Sequence, residues 1–215
     1  MKTPGKHLLK PDMTILFQGD SITDRGRDRN DPHGLGSGYA FMVASQLAAR
    51  FSQLNLSFYN RGISGDRMID LLNRWDKDCI ELKPGLVSIL VGINDTWRRF
   101  DSNDPTPVEH FEKRYREILT RTREELNPLF VIGEPFVLPV PEDRKAWRED
   151  LDPRIHVVRE LAREFDAIYI PYDGIFAAAS SYAPPEYWAA DGVHPTMAGH
   201  ALMANAWLRH VIGKS

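Results

Sequence analysis

The fold is decided by one stretch near the N-terminus, Thr14-Ile15-Leu16-Phe17-Gln18-Gly19-Asp20-Ser21-Ile22-Thr23. Its apolar first half predicts a buried strand, which we place at about residues 13–19. A polar, glycine-containing loop at residues 25–38 follows, and the spacing of apolar residues predicts a helix from Tyr39 to Phe51. Ser21 would then lie at the carboxyl end of a strand, where an α/β sheet exposes its reactive groups.

Four more apolar runs follow and predict strands at residues 56–60, 86–91, 129–133 and 167–170. Helical patterns follow them, from Asp66 to the Lys83-Pro84-Gly85 that ends the helix, and at residues 108–126, 154–165 and 196–211. We expect Asp66 to cap the first of these helices, and the segments 97–107 and 134–153 to be loops. Strands that alternate with helices predict a three-layer α/β/α sandwich with a central five-stranded parallel sheet, flavodoxin-like in strand order. The length predicts a single domain over residues 1–215.

Composition limits the class of protein. The chain has 215 residues, of which 42% are hydrophobic and 27% charged, and its formal net charge is −3. That charge provides no basic surface for nucleic acid, and no apolar run is long enough to cross a membrane. Cys79 is the only cysteine and is expected to pack in the core. Residues 1–7 are polar and lack the apolar core of a signal peptide, so we predict a cytoplasmic protein without nucleic-acid or membrane partners. A homo-oligomer is compatible with the sequence.

Polar residues follow four of the five predicted strands. Ser21 comes after the first strand, Gly62 after the second, Asn94 after the third, and Asp191 and His194 after the fifth. A serine hydroxyl becomes a good nucleophile when a histidine takes its proton and an acid orients that histidine. We therefore predict Ser21, His194 and Asp191 as catalytic residues. The backbone N–H groups of Ser21 and Gly62 and the amide of Asn94 would form the oxyanion hole.

Each of these residues also has an ordinary structural interpretation. Ser21 and Asn94 could cap helices, Gly62 could serve a turn, and His194 before Pro195 could begin a helix. Taken singly, each structural role is the more common one. Taken together, they would require four coincidences at the same edge of the sheet.

The motifs match a known family in order along the chain. Gly-Asp-Ser-Ile-Thr at 19–23, Asn-Arg-Gly-Ile-Ser-Gly at 60–65, Gly-Ile-Asn-Asp at 92–95 and Asp-Gly-Val-His-Pro at 191–195 resemble the conserved blocks of the SGNH (GDSL-type) hydrolases. The resemblance covers nearly the whole chain. It implies the same roles for Ser21, Gly62, Asn94, Asp191 and His194.

A narrower resemblance concerns the substrate. Residues 35–39, 60–70 and 92–98 look like those of bacterial acetylxylan-esterase-type members, which remove O-acetyl groups from xylan or xylo-oligosaccharides without a metal. It implies a serine esterase with a small acetylated carbohydrate substrate and no cofactor. One departure is Ala190, because such relatives carry a tryptophan directly before the triad aspartate, whereas the nearest tryptophan here is Trp188. A lysophospholipase or thioesterase of the same family is the alternative.

Other classes fit the motifs less well. An α/β-hydrolase elbow needs glycine where Thr23 stands, and an aspartate-nucleophile phosphatase needs a second acid at Ile22. The glycines at 34, 36 and 38 do not follow a strand, as a dinucleotide-binding fingerprint would require. The seven histidines are scattered, so no zinc site is predicted. A non-enzymatic binding module would have no need of the complete set of catalytic residue types.

The loops near the predicted site are charged and aromatic rather than aliphatic. We predict Asp20, Trp97 and Trp188 as substrate-binding residues, since flat aromatic faces with polar neighbours suit sugar rings. Further aromatic side chains expected at the edge of the site are Trp147, Tyr182 and Tyr187. The aliphatic candidates for an acyl channel are few: Val137, Leu138 and Val140. This composition favours acetyl over long acyl groups.

Overall fold

The computed structural model describes residues 8–213, so the polar N-terminal segment behind the cytoplasmic prediction lies outside the described residues. Five strands form one sheet: β1 (Thr14–Gly19), β2 (Ser57–Asn60), β3 (Leu86–Leu90), β4 (Leu129–Gly133) and β5 (Ile168–Ile170). Every neighbouring pair is parallel, and the order is β2-β1-β3-β4-β5. This confirms the predicted five-stranded parallel sheet and its flavodoxin-like order.

Helices cover both faces of the sheet. Those of the first half of the chain are α1 (Ser21–Asp24), α2 (Tyr39–Arg50), α3 (Met68–Asn73), α4 (Trp75–Asp78) and α5 (Ile93–Asp101). Those of the second half are α6 (Val108–Glu125), α7 (Arg148–Glu164), α8 (Tyr172–Ala179), α9 (Pro185–Trp188) and α10 (Met197–Ile212). No helix within residues 8–213 is both long and apolar enough to cross a membrane.

Alternate residues of β1 point into two separate cores. Ile15 and Phe17 pack with α2 and α10, whereas Leu16 packs with α3, α4 and α6 on the other face. The chain therefore crosses to one face after β1 and to the other after β3. In such a sheet the crevice between these two strands, at their carboxyl ends, is where ligands bind. The register pairs Gly19 with Leu90, so β1 and β3 end side by side directly below Ser21.

Three predicted segments differ from the structure. Helix α7 begins at Arg148, six residues earlier than predicted, and Pro153 lies inside it. The ion pair between Arg148 and Asp152 and the buried Leu151 support the turn that lacks the proline N–H. Helix α5 occupies the first part of the segment predicted as a loop, and α8 and α9 were not predicted.

The helix predicted from residue 66 is also shorter than expected. It begins at Met68, whose N–H donates to Asp95 Oδ2 at 3.0 Å, so Asp66 is not its cap. It is interrupted at Arg74, and α4 follows. Cys79 is fully buried, as predicted, and burial raises the pKa of its thiol to about 12.

Candidate active site

Ser21, His194 and Asp191 form one chain of hydrogen bonds across the end of the sheet. Ser21 Oγ lies 2.9 Å from His194 Nε2, and His194 Nδ1 lies 2.6 Å from Asp191 Oδ2. The side chain that caps α1 is that of Asp20, which accepts from the Ile22 N–H at 3.0 Å. The hydroxyl of Ser21 is therefore free of a capping role and is directed at the imidazole.

The Asp191 carboxylate is held by its own loop. Its Oδ1 accepts the N–H groups of Val193 and His194, at 3.0 and 2.7 Å, while its Oδ2 faces the His194 ring. Burial opposes ionisation of Asp191, but the bonds from the His194 ring and from these N–H groups outweigh it and lower the pKa of the carboxyl. An ionised Asp191 keeps the proton on His194 Nδ1, so that Nε2 is left to accept from Ser21.

The segment of residues 189–195, here called the histidine loop, is fixed at both its base and its tip. Ala189 and Pro195 form an antiparallel bridge at the base. At the tip the Leu138 N–H donates to the Gly192 carbonyl at 2.8 Å. Gly192 has φ of +81°, and a Cβ there would lie 2.2 Å from the Val140 carbonyl oxygen, so only glycine fits. The segment after β4 thus determines where His194 lies.

Two ionisable groups beside Ser21 have altered acidity. The hydrogen bond to Asp191 raises the pKa of His194 above its ordinary value. Burial raises the pKa of Asp20 to about 7, although the Ile22 N–H and His194 act in the opposite direction. Asp20 has no exposed surface, so the structure does not support its predicted contact with substrate. Its observed role is to cap the helix that carries Ser21.

The predicted oxyanion donors flank Ser21 because β2 and β3 flank β1. The Ser21 N–H belongs to the first turn of α1, where N–H groups have no intrahelical acceptor. Asn94 is buried at the first turn of α5, and its Nδ2 donates one hydrogen to the Asp66 carbonyl at 3.1 Å. A primary amide has a second hydrogen, which remains for a ligand.

The Gly62 N–H, predicted as an oxyanion donor, already has a hydrogen-bond acceptor within the protein. The Gly62 N–H donates to Asn60 Oδ1 at 2.9 Å, so an oxyanion would have to replace or share that acceptor. The glycine itself is required, because a Cβ would lie 2.4 Å from the Asp24 backbone nitrogen. Gly62 thus lets the loop after β2 approach α1 closely.

Trp97 lies beside the imidazole, and the other two predicted tryptophans have different surroundings. The ring centroids of Trp97 and His194 are 5.8 Å apart. Trp147 is only 2% exposed and supports Trp97 from below, at 5.2 Å between ring centroids, so its predicted place at the edge is wrong. Trp188 donates its Nε1–H to the Ala183 carbonyl and packs edge-on against Tyr187, within its own segment.

Two residues missed by the sequence reasoning hold the site from behind. Asn60 is fully buried, and its Nδ2 donates to the carbonyls of Thr23 and Leu35, at 2.6 and 3.0 Å. His200 accepts the Tyr39 N–H on Nδ1 at 3.2 Å, and burial lowers its pKa to about 4, so it is neutral at pH 7. Asn60 begins the motif at residues 60–65, which is a signal for a role at the site. The residues around His200 contain no such signal.

This geometry suits acyl transfer by a serine nucleophile. A hydroxyl, a base and an oriented carboxylate are in line, and candidate oxyanion donors lie on both sides. Within residues 8–213, no group of three or more histidine, cysteine, aspartate or glutamate side chains is placed to hold a metal ion. The arrangement can therefore attack an acyl carbonyl with the chain's own residues.

Residues 17–202 match the sequence profile of the GDSL-like lipase/acylhydrolase family. The chain belongs to this family. As a GDSL-type acylhydrolase it is a carboxylic ester hydrolase, as predicted. It is 34% identical over 205 residues to an acetylxylan esterase of Geobacillus stearothermophilus, and the match covers 92% of this chain and 93% of the relative.

Solved structures of this acylhydrolase family share the fold. A protein from Parabacteroides merdae labelled a GDSL-like lipase is 40% identical, with a TM-score of 0.91, over 96% of this chain and 98% of that one. An acetyl-xylooligosaccharide esterase from Geobacillus stearothermophilus, Axe2, solved as a mutant, is 32% identical with a TM-score of 0.88, over 97% of each chain. Other Axe2 structures are described as catalytic mutants, in which a serine, an aspartate and a histidine are replaced by alanine.

Proposed function

We propose that this esterase removes O-acetyl groups from a xylan-type carbohydrate through an acyl-enzyme on Ser21. The observation that carries the proposal is the hydrogen-bond chain from Ser21 Oγ through His194 to Asp191. It has the order and contacts of a serine-hydrolase triad.

The reaction has two steps. His194 Nε2 takes the Ser21 proton as Oγ bonds to the acetyl carbon, and the carbonyl oxygen becomes an oxyanion beside the Asn94 amide. The intermediate then expels the sugar oxygen, which takes the proton from His194. Water repeats the sequence on the acyl-enzyme, so that acetate leaves and Ser21 regains its proton.

The carbohydrate substrate is inferred from relatives and from Trp97. Both the curated relative and Axe2 are esterases of acetylated xylan or xylo-oligosaccharide. Trp97 lies beside the base and is partly exposed, where it could pack on the leaving sugar. In one Axe2 mutant the replaced tryptophan is numbered directly before the catalytic aspartate, whereas this chain has Ala190 before Asp191. We expect the small Ala190 to leave that side of the site more open than in Axe2.

The segment after β4 argues against a long acyl chain. A pocket of about 420 Å³ lies beside this segment and α8, lined in part by Val137 and Leu138. Both side chains are nearly fully buried in the core, and the rim of the pocket carries Arg144, Lys145 and Arg148. A buried methylene contributes about 0.8 kcal/mol only where apolar surface receives it. An acetyl group needs no such surface.

The test compares acyl chains and leaving groups. Nitrophenyl esters from acetate to octanoate are assayed beside acetylated and deacetylated xylo-oligosaccharides. We expect the highest kcat/KM for the acetate and release of acetate from the sugar. A steady rise toward octanoate, without release from the sugar, would replace the carbohydrate substrate by a lipid or an acyl thioester.

A further inference from the structure

Arg74 connects the end of β1 to the loop that holds the Asn94 amide. Arg74 lies between α3 and α4 in the chain, and 15% of its side chain is exposed. Nε donates to Asp66 Oδ2 at 2.8 Å, and Nη1 donates to Gln18 Oε1 and Asp78 Oδ2, each at 3.0 Å. Nη2 donates to the Gly19 carbonyl at 3.3 Å. One planar group therefore contacts two separate parts of the site.

One end of this connection is the strand below the nucleophile. Gln18 and Gly19 are the last two residues of β1, and Ser21 follows two positions later. Gln18 is itself fixed, because its Nε2 donates to the Asp78 carbonyl at 2.7 Å. The rigid fork of an arginine holds several acceptors at set distances, which a lysine cannot do. Arg74 is thus held at a fixed position relative to β1, the strand that leads to Ser21.

The other end is the loop between β2 and α3. Asp66 lies outside helix and strand, after a turn in which its N–H donates to the Ile63 carbonyl at 3.1 Å. Its own carbonyl accepts the Asn94 Nδ2 hydrogen. If Asp66 moves, the acceptor that orients the Asn94 amide moves with it.

A second contact holds the same loop on the β3 side, where the Met68 N–H donates to Asp95 Oδ2. That contact ties the loop to the residue after Asn94 but not to β1. The Ile63 N–H also ties the loop to β1, since it donates to the Gly19 carbonyl at 3.1 Å. Arg74 adds a side-chain link, because its guanidinium contacts both the Asp66 carboxylate and the Gly19 carbonyl.

We propose that Arg74 is a positioning residue, which through Asp66 fixes the Asn94 amide relative to Ser21. The inference rests on the proposed function, because it requires the Asn94 amide to contact the oxyanion. Arg74 touches neither substrate nor reacting atoms. It sets the angle at which the amide meets developing charge, and an error of about 1 Å in such a position can cost about 10²-fold in rate.

The experiment measures hydrolysis of 4-nitrophenyl acetate by Arg74→Met, Asn94→Ala and the double variant. We expect Arg74→Met to lower kcat by about 10- to 100-fold with little change in KM. In the Asn94→Ala background the same substitution should cost almost nothing, because the amide that it misplaces is already gone. Arg74→Lys should recover part of the loss.

The matched control is Arg116→Met, which removes a guanidinium that bridges Glu112 and Glu164 on the outer helices. It should leave kcat unchanged, and thermal unfolding is recorded for every variant. If Arg74→Met does not fold, Asp66→Asn enters the same cycle, since it weakens the bond to Arg74 but keeps the carbonyl that binds Asn94.

Two outcomes overturn the proposal. The first is that Arg74→Met, or Asp66→Asn where that variant replaces it, lowers kcat by the same factor in the wild-type and Asn94→Ala backgrounds. The residue would then not act through Asn94, while the proposed esterase mechanism would stand. An unchanged kcat in Asn94→Ala would instead remove the oxyanion role of Asn94, and the positioning role with it. Neither result depends on which sugar is the natural leaving group.

Discussion

The two sides of the candidate site are built differently. On the base side, Ser21, His194 and Asp191 bond to one another. On the oxyanion side, the Gly62 N–H bonds to Asn60 and the Asn94 amide bonds to the Asp66 carbonyl. The base side is therefore complete without substrate, whereas the oxyanion side still has part of its donor capacity directed at the protein.

The difference follows from how far apart the partners lie in sequence. Asp191 and His194 are three residues apart in one loop, so their contact depends mainly on local backbone geometry. Asn94 and Asp66 belong to different loops, and we propose that Arg74 contributes to their alignment with Ser21. A contact within one loop should tolerate substitutions elsewhere in the protein. An alignment that depends on several side chains should be lost when any one of them is replaced. Substitutions on the two sides should consequently differ in size and in kind.

The largest effect is expected on the base side, from Ser21→Ala. Loss of the nucleophile should lower kcat by about 10⁴- to 10⁶-fold, because the remaining groups stabilise the oxyanion without forming an acyl-enzyme. Fluorophosphonate labelling, which needs the serine hydroxyl, should also disappear. Both are measured on protein with an unchanged circular dichroism spectrum. Substantial turnover by clean, folded variant would exclude Ser21 as the nucleophile.

Asn94→Ala should have the next largest effect. Removal of one oxyanion donor is expected to lower kcat by about 10²- to 10³-fold, since the interaction strengthens only as charge develops. Steady-state kinetics with 4-nitrophenyl acetate separate kcat from KM. A change confined to KM would mean that Asn94 contributes to ground-state binding alone.

Much of the fold was predictable because the strands are continuous apolar runs. β4 matches its predicted limits, and the other strands differ by one residue at an end. The errors lie where polar sequence folds against a tertiary partner. Ile93-Asn94-Asp95 resembles a turn, yet it begins α5, because Asp95 is buried and bonded to the Met68 N–H. Such a contact cannot be derived from local periodicity.

The residues of the site were predictable from motifs, but their hydrogen bonds were not. Ser21, His194 and Asp191 lie together because parallel strands end at one edge, which is a topological consequence. Whether the Gly62 N–H is open depends on the rotamer of Asn60, and the burial of Asp20 depends on the tertiary packing around it. Arg74 and Gly19 are 55 positions apart in the sequence, and a contact between such distant residues leaves no pattern in it.

The pH dependence tests the base side in its resting state. His194 must be neutral to take the Ser21 proton, and its bond to Asp191 raises its pKa. Activity should therefore fall as pH decreases through this raised value, by about tenfold per pH unit well below it. NMR titration of the imidazole in Ser21→Ala gives the midpoint, which Asp191→Asn should lower. A midpoint unaffected by Asp191→Asn would show that this contact does not control the base.

The smallest effect should come from Trp97, which borders the base side without taking part in the chemistry. Trp97→Ala removes the ring beside His194 and the surface proposed for the leaving sugar. Aromatic packing contributes about 0.5–1.5 kcal/mol beyond burial, so KM for acetylated xylo-oligosaccharide should rise several-fold. KM for 4-nitrophenyl acetate should change less, because its leaving group makes fewer contacts. Trp188→Ala tests the second predicted tryptophan, whose ring packs against Tyr187 within its own segment. If Trp97→Ala leaves KM for the sugar unchanged, the place of Trp97 beside the imidazole gives it no part in binding.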